Sequence, residues 1–421
     1  LAFAVSRFSL AAFIDAAFLC LGTLPATVLK ARGAMKTFYE LYEELQEERY
    51  FERLAIDPLA QFGSEQQPLL GARILPEQIV EDNAYEETQV RYRVRPALDN
   101  NRYSPTQKQE NGHLIGSFRV DLGDTDTQKD LTGKKYDDLR KLLMRGGDME
   151  AMAQVLRWTD VELLQPHTIK NEIQRWQALL MASTTRKTVN GQMEPISYYR
   201  PADHIVTIPG GTIASPQGWH LNTYDPFDDI EAGKEKLQGL GYGLVGMYAT
   251  PYLGRVLRTN EQVVKRNGRV QNNSAATVPR VTESVLNLLL EEDDHTAITF
   301  YNGGYEGPAG YQRYMDVEDG YDYLLMVGGT QRSYDMASDY VGASGLDISG
   351  FSDGAINLRD TLGYYAVGKN AGKDVRGRTI HTWMNDKKPI GMGGESYQAG
   401  LPVLTDPQAY YVIRVQRPTA S

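Results

Sequence analysis

Apolar residues recur along the chain at two different spacings. The first, of three and four residues, predicts helices. Residues 36–52 read KTFYELYEELQEERYFE, in which apolar side chains recur at spacings of three and four between glutamates, so we expect a short amphipathic helix. The same spacing fills PHTIKNEIQRWQALLMAS at residues 166–183. Its apolar positions are Ile169, Ile173, Trp176, Leu179 and Leu180. Because Pro166 lacks the N–H that an interior turn uses, we expect it to begin a helical segment and not to lie inside one.

Strict alternation, the second period, predicts strands. Residues 90–95 read VRYRVR, with apolar side chains on one face and three arginines on the other. A second alternating run, HLIGSFRVDL at residues 113–122, follows a polar loop that is too long for a tight turn. The two runs together predict a long two-stranded hairpin. An isolated hairpin is at best marginally stable in water, so this one is expected to contact a partner surface.

Shorter strands are predicted in the rest of the chain. The dipeptide Asn190–Gly191 is the strongest signal for a tight hairpin turn. Strands are also expected at residues 244–250, 297–302 and 321–327, with helices between them. The run AYYVIRVQR at residues 409–417 alternates as a half-buried strand does. This mixture of helices and short strands indicates an α+β protein.

Length and charge narrow the possible functions. A chain of 421 residues exceeds what one hydrophobic core usually organises, so two or three subdomains are expected. Lysine and arginine total 44 against 54 aspartates and glutamates, which gives a net charge of −10. An acidic protein lacks the electrostatic footprint for wrapping nucleic acid, although it could enclose nucleic acid without gripping it. The arginine face at residues 91–95 also lacks an interleaved aromatic platform, which favours ion pairs between subunits over nucleic-acid contacts.

The N-terminal stretch and the cysteine content bear on the compartment. The single cysteine, Cys20, excludes an internal disulfide framework and a multi-cysteine zinc site, and it favours a reducing compartment. Residues 1–33 are the most apolar part of the chain, but Asp15 would cost roughly 2.5–3.5 kcal/mol in the middle of a membrane span. The run is also shorter than the ~20 apolar residues that a span needs. We therefore favour an arm packed on a neighbouring subunit over an anchor or targeting segment.

Two strings that resemble catalytic motifs fail on context. GYGLVG at residues 241–246 matches a dinucleotide fingerprint, but it follows a predicted helix and enters a strand, whereas the fingerprint must follow a strand and open a helix. GFSDG at residues 350–354 matches the elbow of a nucleophilic serine, here Ser352. A polar, glycine-rich stretch precedes it, and His381 is the only histidine downstream. Neither string is predicted to be a site.

A third string, EEDDH at residues 291–295, closes the predicted helix TESVLNLLL. Carboxylates there meet the negative end of the helix dipole, which disfavours them by about 0.3–1 kcal/mol. A divalent-cation site could explain them, but the string lacks the oxygen spacing and central glycine of a calcium loop, so a solvated polar boundary is the better interpretation. The histidines, at positions 113, 167, 204, 220, 295 and 381, show no ligand spacing. We predict no catalytic residue, no cofactor-binding residue and no metal ligand.

A cluster of acids in LNTYDPFDDIE, residues 221–231, has a simpler explanation than chemistry. Asp225 followed by Pro226 is a helix N-cap followed by the residue best suited to the first helical position. Asp228, Asp229 and Glu231 add negative charge where the helix dipole is positive. We expect the helix to end near Gly239 and Gly241, and Thr250–Pro251 to start the next helix by the same device.

The string from Tyr224 to Ala232, YDPFDDIEA, resembles the corresponding segment of lambda-like tailed-bacteriophage major capsid proteins, of the major capsid protein E family. The ending LPVLTDPQAYYVIRVQ, with Leu401, Pro402, Asp406 and Pro407, resembles that family's C-terminal strand pair. The helix IKNEIQRWQALLMAS resembles its spine helix, and YLLMVGGTQRSYDM its later strand. The chain departs from the family at residues 1–33, and its loop at 303–320 is longer and is expected to form a distinct surface feature.

The resemblance implies the α+β major capsid fold of tailed phages and herpesviruses. It implies an N-terminal arm at residues 1–75 and a projecting hairpin region, the E-loop, at residues 76–145. A peripheral domain with the spine helix is implied at residues 146–205, completed by residues 401–421, and an axial domain at residues 206–400.

The function implied is that of a structural protein, not an enzyme, which self-assembles through hexamers and pentamers into the icosahedral head shell of a bacteriophage virion. The shell would enclose double-stranded DNA without binding it specifically, with no cofactor and no membrane. Its partners would be copies of itself, a portal protein, a scaffold and, as a further candidate, a decoration protein, with assembly in the host cytoplasm. The alternatives are the shell of a cellular nanocompartment and a soluble serine hydrolase that uses Ser352 and His381.

Overall fold

A computed structural model of the chain describes residues 37–56, 69–80, 84–92, 113–187, 192–270, 280–308, 310–330, 362–370, 377–385 and 390–419. The α-helices in these ranges are α1 (Phe38–Glu47), α2 (Tyr50–Ile56), α3 (Leu70–Ile74), α4 (Lys134–Met144), α5 (Asp148–Thr159), α6 (Gln165–Met181), α7 (Pro226–Gly239), α8 (Pro251–Thr259), α9 (Glu261–Val270) and α10 (Glu283–Glu292). The first strands are β1 (Glu77–Ile79), β2 (Ala84–Tyr92), β3 (His113–Asp121), β4 (Gly123–Thr132), β5 (Ser183–Lys187), β6 (Met193–Ser197), β7 (Ile205–Ile208) and β8 (Tyr242–Ala249). The remaining strands are β9 (Ile298–Phe300), β10 (Gly304–Gly307), β11 (Gly310–Arg313), β12 (Tyr321–Thr330), β13 (Tyr364–Val367), β14 (Thr379–Asn385), β15 (Gly391–Val403) and β16 (Tyr410–Gln416). The predicted α+β class is confirmed.

Most strands belong to two five-stranded sheets. Sheet I has the order β7-β16-β12-β8-β9, in which β12 runs antiparallel to both β16 and β8. Sheet II has the order β1-β13-β15-β14, and β4 also pairs with β15. Residues 391–400 of β15 are bonded to β4, while the end of β15 pairs with β13. Strands predicted at 244–250, 297–302 and 321–327 are therefore confirmed as β8, β9 and β12.

Both faces of sheet I are buried. In β12, Leu324 and Met326 belong to the core that the sheet shares with α7, α8 and α10. Tyr323, Leu325 and Val327 of the same strand point into a second core around α6. Alternate residues of β16 likewise enter one core or the other, so both faces of this strand are buried. The prediction that the strand is half-buried was therefore wrong. A sheet with helices on both sides has no polar face, which is why its strands are rich in apolar residues.

The apolar stripe predicted for α6 is confirmed, since Trp176, Leu179 and Leu180 are fully buried. The expectation that Pro166 begins a new helical segment needs a correction. Helix α5 continues through a π-helical turn, Asp160–Leu164, directly into α6. Pro166 lies in the first turn of α6 and therefore within one continuous helical segment. A π turn leaves backbone groups without their usual partners, and here the hydroxyl of Ser396 on β15 donates to the carbonyl of Leu163 at 2.7 Å.

The N-terminal helices complete a third core. Thr37 caps α1 with the reciprocal bonds of a capping box that includes Glu40. The apolar face of α1 is buried with residues of α4, α5 and sheet II. Its members include Phe38, Leu41, Leu45, Leu139, Val155, Leu131 and Met392. The amphipathic helix predicted in this stretch is confirmed as α1, but it ends at Glu47, and after Arg49, which has a left-handed φ of 55°, the chain starts the separate helix α2.

Three antiparallel pairs stand apart from the two sheets. The long pair β2–β3 puts Val90 opposite Ile115, so the predicted hairpin is confirmed. The pair β5–β6 flanks the predicted turn, although Asn190–Gly191 itself lies outside the described residues. The pair β10–β11 lies in the loop at 303–320 that was expected to form a surface feature. The apolar segment 1–33 is outside the described residues, and no helix among those described is long and apolar enough to cross a membrane.

Two glycines of α7 provide a matched test of how this helix packs on sheet I. A Cβ at Gly233 would lie 2.7 Å from Met326 Sδ and 2.8 Å from the Tyr411 ring, whereas a Cβ at Gly239 meets nothing within 4 Å. Ala in a helix is normally more stable than Gly, so only crowding can reverse the sign. We expect Gly233→Ala to lower the free energy of unfolding by about 1–3 kcal/mol, measured by urea denaturation. Gly239→Ala is the control and should be neutral or slightly stabilising; equal effects at both positions would contradict this packing.

Candidate functional site

The acids at residues 225–231 begin α7, as the capping pattern predicts. One carboxylate oxygen of Asp225, the N-cap, accepts a hydrogen bond from the backbone N–H of Phe227 at 3.0 Å. Its other oxygen accepts from the guanidinium of Arg266 at 2.8 Å. Gly241, beyond the end of the helix, has the left-handed φ of 86° that favours glycine after a helix. The N-cap and the predicted helix end are confirmed.

Two further acids of this stretch, Asp229 and Glu231, have partners that the capping argument did not supply. Asp229 accepts hydrogen bonds from Trp219 Nε1 at 2.7 Å and from the Tyr224 hydroxyl at 2.9 Å, so it joins the preceding loop to α7. Glu231 lies 3.0 Å from His295 Nε2 and 3.6 Å from Lys234 Nζ. The stretch is therefore a structural network with no open carboxylate pair for chemistry.

The expectation that Thr250 caps α8 in the same way was wrong. Thr250 occupies the N-cap position and Pro251 the first turn, but the side chain makes no capping bond. Its hydroxyl instead donates to the buried carboxylate of Asp322 on β12 at 2.8 Å. Arg417 donates to the same carboxylate at 2.6 Å, so the buried charge of Asp322 has both a counter-ion and a hydroxyl partner.

The string EEDDH lies where the sequence places it, at the end of α10, and residues 291–294 are all exposed. Asp293 pairs with Arg266 at 2.7 Å. His295 is buried, and burial lowers its pKa more than Glu231 raises it. Across the ranges described, no three His, Cys, Asp or Glu side chains come together as a metal site would require. The arrangement matches the solvated boundary preferred over a cation site.

The other motif strings can be placed only in part. Residues 241–246 follow α7 and enter β8, the reverse of the order that dinucleotide binding needs. Residues 350–354, with Ser352, lie outside the described residues. His381 lies exposed on β14, with its ring 5.8 Å from that of Trp383.

His167 is a buried histidine whose partners the sequence did not predict. Its Nε2 lies 2.8 Å from Ser396 Oγ and its Nδ1 lies 3.0 Å from Thr125 Oγ1, so the ring joins α6 to β4 and β15. Both of these hydroxyls donate to backbone carbonyls, Ser396 to Leu163 and Thr125 to Gln398, so the ring belongs to a wider hydrogen-bond network. Burial and the nearby guanidinium of Arg378 lower the pKa of His167 to about 4, so the ring is neutral at pH 7.

Glu172 is a second buried group that the apolar pattern concealed. It lies on the stripe of α6 itself, four residues before Trp176, and its carboxylate accepts from Trp176 Nε1 at 2.9 Å and from Gly71 N at 2.7 Å. Burial raises the pKa of this carboxyl, and the guanidinium of Arg175 partly offsets the rise. An acid on the apolar face of a helix was the available signal, since such a residue is buried only with partners.

The long hairpin β2–β3 is the most distinctive candidate surface. In the part of the chain that the structure describes, each of its strands is bonded only to the other. One end of its base is held by Arg186 on β5, which donates to the carbonyl of Asp121, the last residue of β3, at 2.6 Å. A cavity of about 290 Å³ beside this base is lined by charged groups of both signs, among them Asp124, Lys170 and Arg186.

Exposed apolar side chains add further candidate contact positions. Ile213 is 71% exposed and Val245 is 65% exposed, on the loop after β7 and on β8. Ile79 on β1, an edge strand of sheet II, is 63% exposed. Single exposed apolar residues are common on protein surfaces, so none of these positions alone defines a site.

Comparison with known proteins found similar solved structures but no match in sequence. No protein-family model matches the sequence, and no curated protein matches it in sequence. In structure, the chain is similar to a phage-related protein of Bordetella bronchiseptica RB50, with 12% identity, 87% of this chain and 95% of that protein covered, and a TM-score of 0.45. It is similar to the capsid of Myoviridae phage XM1, with 8% identity, coverages of 94% and 99%, and a TM-score of 0.38. It is also similar to the encapsulin of Synechococcus elongatus PCC 7942, with 12% identity, coverages of 83% and 88%, and a TM-score of 0.37.

The buried histidine His167 predicts acid sensitivity. Its folded pKa of about 4 lies below the ordinary 6.5, so the unfolded chain binds a proton first as the pH falls, and stability present above pH 6.5 is lost toward pH 4. The loss attributable to this group is on the order of 3 kcal/mol. We expect His167→Gln to flatten the pH dependence of the free energy of unfolding between pH 6.5 and 4.5. The exposed His381→Gln is the control, and a wild-type slope in the His167 variant would refute the assignment.

Proposed function

We propose that this chain is the structural subunit of an icosahedral viral capsid, the head shell of a tailed bacteriophage. Copies of the chain would form hexamers and pentamers, and these would assemble into a shell around double-stranded DNA. The proposal starts from the sequence resemblance at Tyr224–Ala232 and at the C-terminal strand pair. The first stretch begins α7, and the second forms the end of β15 and then β16, which lie in different sheets.

The observation that carries the proposal is the hairpin β2–β3. A ribbon of two strands is marginally stable alone, and these strands have no third strand among the described residues. A second copy of the same chain is the partner that a shell supplies at every subunit. Assembly of this kind rests on large contacts between copies, which commonly bury 2,000 Å² or more.

The division into domains follows from the same proposal. The arm would comprise residues 1–75, and the hairpin region residues 76–145 without β1 and β4. These two strands would join the peripheral domain with α6 and the rest of sheet II, because β4 pairs with β15, which packs on the end of α5 and the π turn. The axial domain would contain sheet I with α7, α8 and α10. Residues 364–403, expected in the axial domain, would then belong to the peripheral domain, and β16 to the axial one.

The charge of the chain fits enclosure of DNA without specific binding. With a net charge of −10, the subunit would not attract phosphates, so packaged DNA would not be held by the wall. A portal protein and a scaffold are proposed as assembly partners, with a decoration protein as a further candidate. The subunit would act in the virion after assembly in the host cytoplasm, and we propose no enzymatic role.

Sedimentation and electron microscopy of the native protein test the function directly. We expect closed shells, and DNA-filled heads with a portal and tail when the particles are isolated from infected cells. Shells that carry an enzyme and no DNA would favour a nanocompartment. A preparation that stays at a few subunits under all conditions, or an esterase activity abolished by Ser352→Ala, would contradict a capsid role.

Removal of the hairpin should separate folding from assembly. Replacement of residues 87–118 by an Asn-Gly turn deletes strands that, in the described part of the chain, bond only to each other. The free energy of unfolding of sheets I and II should therefore change little, while shell formation in the sedimentation assay should fall at least tenfold. The control replaces residues 188–191, which contain the predicted turn, with Asn-Gly. Normal shells from the shortened chain would contradict the role of the hairpin.

A further inference from the structure

Residues 69–80, here called the clasp, join the N-terminal part of the chain to the long helix. The clasp contains α3 and β1, and Leu75 within it is fully buried. Its backbone is bonded to β13 at both ends of β1, through Tyr365 N to the Pro76 carbonyl at 2.8 Å and Val80 N to the Val367 carbonyl at 2.9 Å. Only three residues separate the clasp from the start of β2, so its position fixes where the first strand of the hairpin leaves the body.

The first attachment point of the clasp is Gly71. Its N–H donates to the buried Glu172 carboxylate, and a Cβ at this position would lie 2.7 Å from Glu172 Oε1. Only glycine therefore allows the backbone to approach the carboxylate this closely. Leu70 packs beside it in the core shared with Trp176.

The second attachment point is Glu77, whose oxygen Oε1 accepts from three groups. These are Arg175 Nη2 at 3.2 Å, Arg378 Nη2 at 3.1 Å and Asn171 Nδ2 at 3.2 Å. The two guanidinium groups are almost wholly buried, whereas the Glu77 side chain is 41% exposed. Burial raises the pKa of Glu77, but Arg378 and Arg175 outweigh burial and keep the pKa below its usual value.

Glu77 supplies a carboxylate to two buried guanidinium groups. Arg175 also faces the buried Glu172 at 3.5 Å, and Arg378 also lowers the pKa of the buried Asp160, although burial raises that pKa more. Without Glu77, Arg378 would lose this ion pair, and a buried charge without its partner is strongly unfavourable. Because the Glu77 side chain is partly exposed to solvent, it could leave the two guanidinium groups without disrupting the hydrophobic core.

We propose that Glu77 is a positioning residue for self-assembly. Its bonds to Arg175 and Arg378 hold the clasp in place, and the clasp in turn orients the hairpin β2–β3 toward a neighbouring copy of the chain. The other end of the hairpin base is held by Arg186, so both strands leave the body from anchored points. The assembly role rests on the proposed function, whereas the clasp itself is a property of one subunit. Sheet I contains no strand of the clasp, and the core on its other face contains no clasp residue, so its central strand should stay protected when Glu77 is replaced.

The test compares Glu77→Gln with Glu150→Gln in the full-length chain. Glu150 is an exposed acid on α5 and serves as the matched control. Hydrogen exchange on unassembled subunits should show at least tenfold faster exchange in residues 75–80 of Glu77→Gln, with unchanged exchange in residues 324–327. The yield of shells, measured by sedimentation, should fall at least tenfold for Glu77→Gln and stay unchanged for Glu150→Gln.

Each outcome bears on a separate part of the proposal. Wild-type exchange in residues 75–80 of Glu77→Gln would overturn the clasp, and an open clasp with shells of normal yield and size would overturn the positioning role. Equal acceleration in residues 324–327 would show that Glu77 supports the whole fold, which also overturns it, and Arg378→Lys provides a milder second variant for that comparison. A wild-type chain that never forms shells would defeat the proposed function, while the exchange result would still decide the clasp.

Discussion

Burial of sheet I on both faces is the constraint from which the rest of the structure follows. Alternate residues of β12 enter two separate hydrophobic cores, one built by α7, α8 and α10 and the other by the C-terminal half of α6. Each fully buried Leu or Val contributes about 1.5–3 kcal/mol, so neither core can be lost without unfolding the sheet. The long helix is held in place by this contact, and its position decides where sheet II, the clasp and the hairpins attach.

Polar groups inside this framework are arranged to satisfy one another. Asp322 is paired with Arg417 and Thr250, Glu172 with Gly71 and Trp176, and His167 with two hydroxyls. Such networks contribute little net stability compared with apolar packing, but leaving one member unpaired is costly. These bonds therefore specify register between elements that are far apart in sequence, and they give Asp322, Glu172 and His167 a structural role.

The sequence predicted what depends on local pattern and missed what depends on tertiary contacts. The helix cap at Asp225, the apolar stripe of α6 and the pairing of β2 with β3 follow from spacing and residue type, and the structure has them. The π turn at Asp160–Leu164 could not be predicted from local pattern. The Leu163 carbonyl within it accepts a hydrogen bond from the hydroxyl of Ser396, which lies more than two hundred residues away in the sequence. Thr250 shows the same dependence on distant contacts. It occupies an N-cap position, but its hydroxyl donates to the buried carboxylate of Asp322 and not to the helix backbone.

The place of β16 in sheet I has a consequence for how the subunit is made. This strand lies between β7 and β12, yet the chain reaches it last, about 80 residues after β12 ends. A ribosome adds about 5–20 residues per second, so the nascent chain exposes the facing edges of β7 and β12 for several seconds with a gap between them. Until residue 416 has emerged, the sheet cannot close and the second core cannot form. Synthesis itself therefore delays the completion of sheet I and of the surfaces that depend on it.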